Sequence, residues 1–212
     1  MDTGESVLVD WHNVNDKMED KYMTKVYFVR HAQPDHHNTD DRNRPLTQEG
    51  MTDTDLVLNV LKDKKIDMFY CSPYKRSIDT IKSTADYYGM KIITDERLRE
   101  RKAGKDGNVK GMFQKRWADM NYHEEDGESI GMVQERNIEA LTEILQTNKD
   151  KNIVIGTHGT ALSSIMNYYN RSFGCDDFMR IIDWMPYIVE MDFEKDRLVN
   201  TYEIAHIHKS YN

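Results

Sequence analysis

Short apolar runs alternate with amphipathic stretches along most of this chain. In "KVYFVRHA" the residues Val26, Tyr27, Phe28 and Val29 are β-branched or aromatic with no helical period, which predicts a buried strand over 25–29. A polar loop follows to Arg44-Pro45. Thr47 then serves as N-cap of a helix reaching about Asp63, with Leu56, Val57, Val60 and Leu61 as its buried stripe. "IDMFYC" (66–71) predicts a second strand. The next stretch carries a full set of helix signals: Ser72 as cap, Pro73 at the first helical position, Tyr74, Ile78, Ile81, Ala85 and Tyr88 at helical spacing, and Gly89 as the stop. "KIIT" (91–94) predicts a short strand.

Beyond it the pattern weakens. Residues 103–127 form a glycine-rich, charged excursion with one short helix around Met112–Met120. Ser129 opens an amphipathic helix bearing Ile130, Val133, Ile138, Leu141, Ile144 and Leu145. "NIVIGTHGT" predicts a strand ending near residue 155, followed by the helix "ALSSIMNYYN". The tail "YIVEMDFEKDRLVNTYEI" predicts two strands joined by a tight turn at Glu194–Arg197. Strands alternating with helices predict an α/β layered domain with a central, mainly parallel sheet flanked by helices. The 212 residues suit one domain with an appendage, expected as an N-terminal extension over 1–22 and a single α/β domain over 23–212.

Composition narrows the function classes. No apolar run approaches the roughly 20 residues of a membrane helix, and the first twenty residues lack the features of a secretory signal. Cys71 and Cys175 lie far apart with no CxxC spacing, so a cytoplasmic protein with reduced thiols is expected. A net charge of −8 argues against nucleic acid and anionic membranes as partners. It does not argue against a small anion, because a local arginine pocket can be strongly positive inside an acidic protein.

Candidate chemistry gathers where the strands end. Ligands of α/β sheets bind beyond the carboxyl ends of the strands. The first strand ends in Arg30-His31, the second in Ser72 with Arg76 one turn further on, the third leads to Glu100, and the next ends in Gly156-Thr157-His158-Gly159. Arginine forks match phosphate oxygens, and helix N-termini after residues 72 and 159 offer N–H groups to an anion. This combination suggests phosphoryl transfer through a histidine nucleophile.

The same motifs resemble those of the histidine phosphatase superfamily, the phosphoglycerate mutase-like group. "VRHA" resembles its Arg-His-Gly signature with Ala32 in place of glycine, and "CSPYKRSIDT" its Ser-Pro-x-x-Arg-x-x-x-Thr element. "RLRERKAG" resembles the segment that supplies its acid, and "GTHG" its second-histidine motif; "PLTQEG" and "GES" also match in order, over roughly residues 23–205. The resemblance implies that His31 is the nucleophile and becomes phosphohistidine. It implies that Arg30, Arg76 and His158 hold the phosphate, with His158 also counted as catalytic, and that Glu100 protonates the leaving alkoxide and then activates water. It implies no cofactor and no metal. That His31 rather than His158 attacks comes from the resemblance and not from the spacing.

Neighbouring residues receive plainer readings. Glu96 is expected at the surface, Cys71 as an inert core thiol, and "HEEDGE" (123–128) as a solvated turn. "DHHN" (35–38) is read as a loop lining the pocket rather than a metal site, with His37 or Asn38 where a pocket asparagine is expected. The loop after His31 is shorter than in mutases of the resembling group, and residues 103–127 lack an evident arginine pair for a second anion. Lys102, Lys105, Lys110 and Arg116 read as scattered surface charge. These departures favour a phosphomonoesterase of a small phosphorylated metabolite over a 2,3-bisphosphoglycerate-dependent phosphoglycerate mutase. A non-catalytic phosphate-binding module is the third reading, and the apolar patch at residues 7–11 would suit a partner subunit such as a second copy.

Overall fold

A computed structural model describes residues 22–105, 107 and 111–209 of the chain. The N-terminal extension, apart from Tyr22, and Lys110 lie outside the described residues. The strand that opened the pattern, β1 (Met23–Arg30), runs through the middle of a six-stranded sheet. The others are β2 (Met68–Cys71), β3 (Ile92–Thr94), β4 (Asn152–Thr157), β5 (Trp184–Glu194) and β6 (Arg197–His208). Their order is β3-β2-β4-β1-β5-β6. The first four strands pair in parallel, and β5 and β6 add antiparallel to that half.

Both faces of the sheet are covered, which is why β1 and β4 are continuously apolar rather than alternating. Val26 and Phe28 face one core with Ile153 and Ile155 of β4, packed by α4 (Ile130–Thr147), α5 (Gly159–Tyr169) and α6 (Cys175–Ile181). Tyr27 and Val29 face the other with Val154, packed by α1 (Gln48–Leu61) and α2 (Lys75–Tyr87). The period-two alternation of side chains divides a single apolar run between two cores. Burial pushes the Cys71 thiol, in the second core, up to about 12.

The helix starts mostly follow the sequence signals. Thr47 Oγ1 accepts from the Gly50 N–H and Ser129 Oγ from the Met132 N–H. Gly89, at φ +63°, closes α2 in the left-handed region. The start of α2 is a correction: Tyr74, not Ser72, is its N-cap, and Pro73 lies before the helix. Ser72 Oγ instead accepts from the Tyr74 N–H at 3.2 Å, in a turn that precedes the first helical residue. The strand 184–194 also starts before the expected Tyr187 and includes Pro186. Pairing with β1 begins at Tyr187, and the ladder with β6 shifts register between Trp184 and Tyr187, so no ladder bond is demanded of the proline. Helix α6 had no counterpart in the sequence reading. Its seven residues are too few to show a period, although the Gly174 N–H does donate to Asp177 Oδ2 at 3.0 Å across its first turn.

Among the described residues no helix is long and apolar enough to cross a membrane.

Candidate active site

Parallel pairing of β1 with β4 places Arg30 opposite Thr157, so the residues that follow each strand emerge together. His31 continues the ladder by donating its N–H to the Thr157 carbonyl at 3.1 Å. The His31 and His158 rings meet edge to face with centroids 5.2 Å apart. Glycine is required just upstream. A Cβ on Gly156 would come within 2.5 Å of Cys71 Sγ.

His31 is held in one tautomer. Its Nδ1 lies 2.7 Å from the Ala32 carbonyl oxygen, which can only accept, so Nδ1 carries the proton and Nε2 keeps a lone pair. Burial, and then the nearby Arg76 and Arg30 guanidinium groups, hold the imidazole well below its usual pKa range. The neutral form, with Nε2 unprotonated, is therefore the resting one. His158 is fully buried, with Nε2 2.7 Å from Ser72 Oγ. Because that oxygen already accepts from the Tyr74 N–H, its own proton can be donated to Nε2, leaving Nδ1–H as a donor. Among the described residues Nδ1 has no hydrogen-bond partner. Burial, then Arg76 and His31, depress the His158 pKa as well.

Two buried arginines flank the imidazoles. Arg30 donates from Nη1 to the Ile181 carbonyl at 2.7 Å and from Nη2 to that of Ile182 at 2.9 Å, closing the end of α6. Arg76 rises from the first turn of α2, its guanidinium 4.9 Å from the Tyr74 ring, and donates from Nη1 to the Asp41 carbonyl oxygen at 2.5 Å. Glu100 sits over the N-terminus of α5. Its Oε2 accepts from the Thr160 N–H at 3.1 Å, and its Oε1 from Ala161 at 3.2 Å and Arg101 at 2.7 Å. With one donor on Oε2 and two on Oε1, Oε2 is the oxygen with room for a further proton.

The segment that carries Glu100 is tied down from behind by residues the sequence reading passed over. Arg136 of α4 donates from Nη1 to the carbonyls of Arg97 (2.7 Å) and Arg99 (2.6 Å), and from Nη2 to that of Glu100 (3.1 Å). Glu128 receives both forks, from Arg99 and from Arg136, and also the Lys102 N–H at 2.8 Å. Burial alone would raise the Glu128 carboxyl, but these donors outweigh it and hold the group at about 2. This corrects the reading of 123–128 as a solvated turn at its last residue: Glu128, with its side chain 14% exposed, is the knot of this network.

A cleft of about 630 Å³ has Arg30, His31, Arg76 and Glu100 in its walls; His158, fully buried beside His31, does not line it. The model of the histidine phosphatase superfamily (branch 1) matches residues 26–182, about three-quarters of the chain. The chain belongs to this superfamily. Among curated relatives, a protein of Hydrogenobacter thermophilus provisionally named phosphoserine phosphatase 2 is 33% identical over 86 residues, 39% of this chain and 42% of that protein. A 2,3-bisphosphoglycerate-dependent phosphoglycerate mutase of Thermoplasma acidophilum is 40% identical over 63 residues, 30% of this chain and 32% of the relative. The chain thus spans less than half the length of the curated relatives it matches. Two solved structures share the fold at low identity. A mycobacterial glucosyl-3-phosphoglycerate phosphatase has a TM-score of 0.70 at 16% identity, over 89% of this chain and 100% of that one. A mutant phosphoserine phosphatase of Entamoeba histolytica has 0.71 at 18%, over 86% and 97%.

Within this member of the superfamily several flanking residues sit otherwise than expected. His36, not His37 or Asn38, lines the cleft. The His37 N–H is bonded to Asp35 Oδ1, and Asn38 is consumed by the turn, its Oδ1 accepting from Asp40 and its carbonyl from Arg44. Arg116 is not surface charge and Glu124 is not part of a solvated turn: they form an ion pair with side chains 2% and 0% exposed, joined by Arg101. Burial would raise the Glu124 carboxyl, but Arg116 and Arg101 hold it below the usual range. Lys102 does line the cleft, whereas Lys105 pairs with exposed Glu125. Glu96 lies at the surface, paired with Arg42. Among the described residues no three His, Cys, Asp or Glu side chains are grouped to hold a metal ion.

Proposed function

We propose that this chain hydrolyses phosphomonoesters of a small metabolite in two steps through a phosphohistidine on His31. His31 Nε2 attacks phosphorus while the bond to the ester oxygen breaks, and Glu100 in its acid form gives that oxygen its proton. Water then attacks phosphorus and breaks the P–N bond as the Glu100 carboxylate takes the water's proton. Inorganic phosphate leaves and His31 is regenerated. Arg30, Arg76 and the His158 Nδ1–H offer charge and donors to the phosphoryl oxygens, whose charge is spread further in the transition state.

The observation that carries this reading is the Nδ1–H of His31 bonded to the Ala32 carbonyl, which leaves Nε2 unprotonated at the cleft. A phosphate-binding module has no need of a nucleophile fixed in that way. The mutase reading needs water kept from the phosphohistidine while a doubly phosphorylated ligand turns over. The test is release of inorganic phosphate from a panel of monoesters, run with and without EDTA, by wild type and by His31→Ala. Release that persists in EDTA and vanishes in the variant is expected. Isomerisation of 3-phosphoglycerate with negligible release would transfer the assignment to a mutase, and dependence on an added divalent ion would overturn the mechanism.

A further inference from the structure

The cleft is wider than its phosphoryl floor, and its walls differ in character. Its polar lining includes the loop residues His36, Asp41, Arg42 and Arg44, together with Arg101 and Lys102. Phe113, Phe178, Ile182 and Met185 also line it and supply an aromatic and aliphatic surface. Phe178 and Ile182 are four residues apart at the end of α6, which puts them on one face. Phe113, on α3 (Met112–Ala118), packs against Phe178 with ring centroids 5.3 Å apart. Trp117 backs Phe178 at 5.8 Å and Phe173 at 6.1 Å, so the wall is continuous with the core.

This wall is fixed to the phosphate site by a specific joint. The carbonyls of Ile181 and Ile182 are the ones held by Arg30. The Arg30 guanidinium, in the residue next to His31, is therefore bonded to the same stretch of backbone that carries Phe178 and Ile182. Phe113 is the wall residue with the most exposure, half-buried where Phe178, Ile182 and Met185 are 5%, 7% and 2% exposed.

We infer that the alcohol half of the substrate carries an apolar portion that docks on Phe113, Phe178, Ile182 and Met185. The substrate class is a phosphomonoester of an amphipathic alcohol, with an alkyl or aryl face towards α3 and α6 and any polar groups towards the loop 36–44. A small, wholly polar alcohol would leave this wall wet. The inference rests on the phosphate-binding reading of the site, though not on turnover.

The test separates the two. Ethyl and hexyl phosphate have leaving groups of similar basicity, so the ratio of their kcat/KM values reads the chain contact rather than the chemistry. Methylphosphonate and hexylphosphonate, titrated calorimetrically, read the same contact without any reaction. Hexyl should be favoured over the short ligand by roughly tenfold or more in both assays, the order expected of a hydrophobic pocket. Phe113→Ser should bring both ratios towards one, and Phe113→Leu should keep most of the preference. Thermal unfolding of each variant shows whether it is folded, and the leucine variant retains a reading if the serine variant is not. Hexylphosphonate preferred without hydrolysis of either ester would sink the hydrolase and leave this inference standing. Equal binding of the two phosphonates, no binding of either, or a hexyl preference untouched in folded Phe113→Ser would overturn it.

Discussion

Glu128→Gln is the substitution whose effect follows most directly from the network behind Glu100. The carboxylate receives two guanidinium forks and one backbone N–H, and its side chain is 14% exposed. A glutamate of ordinary pKa 4.5 held at about 2 in the folded state contributes about 3 kcal/mol to stability at neutral pH, as an order of magnitude. The sign follows from the direction. A depressed carboxyl stabilises above its unfolded value, and the contribution is lost as pH falls from about 4.5 towards about 2. Urea unfolding at pH 7 should show the glutamine variant about 3 kcal/mol less stable, and the gap between the proteins should narrow by about 1.4 kcal/mol by about pH 3.5. The same variant loosens the segment 97–102, so kcat for alkyl esters should fall while the KM for phosphate analogues holds. A gap that stays constant from pH 7 to 3.5 would refute the reasoning, because an amide would then serve the arginines as well as the carboxylate does.

Other expectations are independent of that network. Glu100→Gln should slow alkyl phosphate hydrolysis by roughly 10²–10⁴-fold and nitrophenyl phosphate less, since only the poorer leaving group depends on the proton; equal losses, with phosphorylation rate-limiting, would remove Glu100 from the acid role. Because burial and two arginines depress the His31 pKa, the acid limb of kcat/KM should lie below the ordinary imidazole value of about 6.5; a limb at that value contradicts the neutral resting nucleophile. Arg116→Met leaves Glu124 buried with one of its two arginine partners gone, and should cost about 3–5 kcal/mol in urea unfolding; a loss under about 1 kcal/mol would mean the pair is not buried.

The strands and the four long helices were legible because both kinds of signal were local. Val26 to Val29 could only be a buried strand, and Thr47 and Ser129 announced their helices by hydroxyls aimed at the first turn. The meeting of His31 with His158 was legible only in outline, since it depends on β1 lying beside β4, a pairing across more than a hundred residues that no local pattern encodes. Helix α6 was missed because its seven residues, under two turns, carry no period. Arg116 and Glu124 were misread because composition alone cannot tell a solvated charge from one neutralised by a partner eight residues away. His36 and His37 differ only in which way a turn rotates them, and that rotation is set by Asp35 and by the grip of Arg44 on Asn38. The role of Arg136 follows largely from contacts with backbone carbonyls, and that of Glu128 from two guanidinium forks and one backbone N–H that only the fold brings together, so neither leaves a mark in the local sequence.

The claim on which the rest depends is that phosphorus becomes bonded to His31. Wild type mixed with a ³²P-labelled monoester and quenched in alkali within milliseconds should carry label, stable to base and lost in acid. Peptide mapping should place that label on the peptide containing Arg30-His31-Ala32, and His31→Ala should carry none. Label on the His158 peptide, or phosphate release at full rate with no trapped label when dephosphorylation is rate-limiting, would contradict the account.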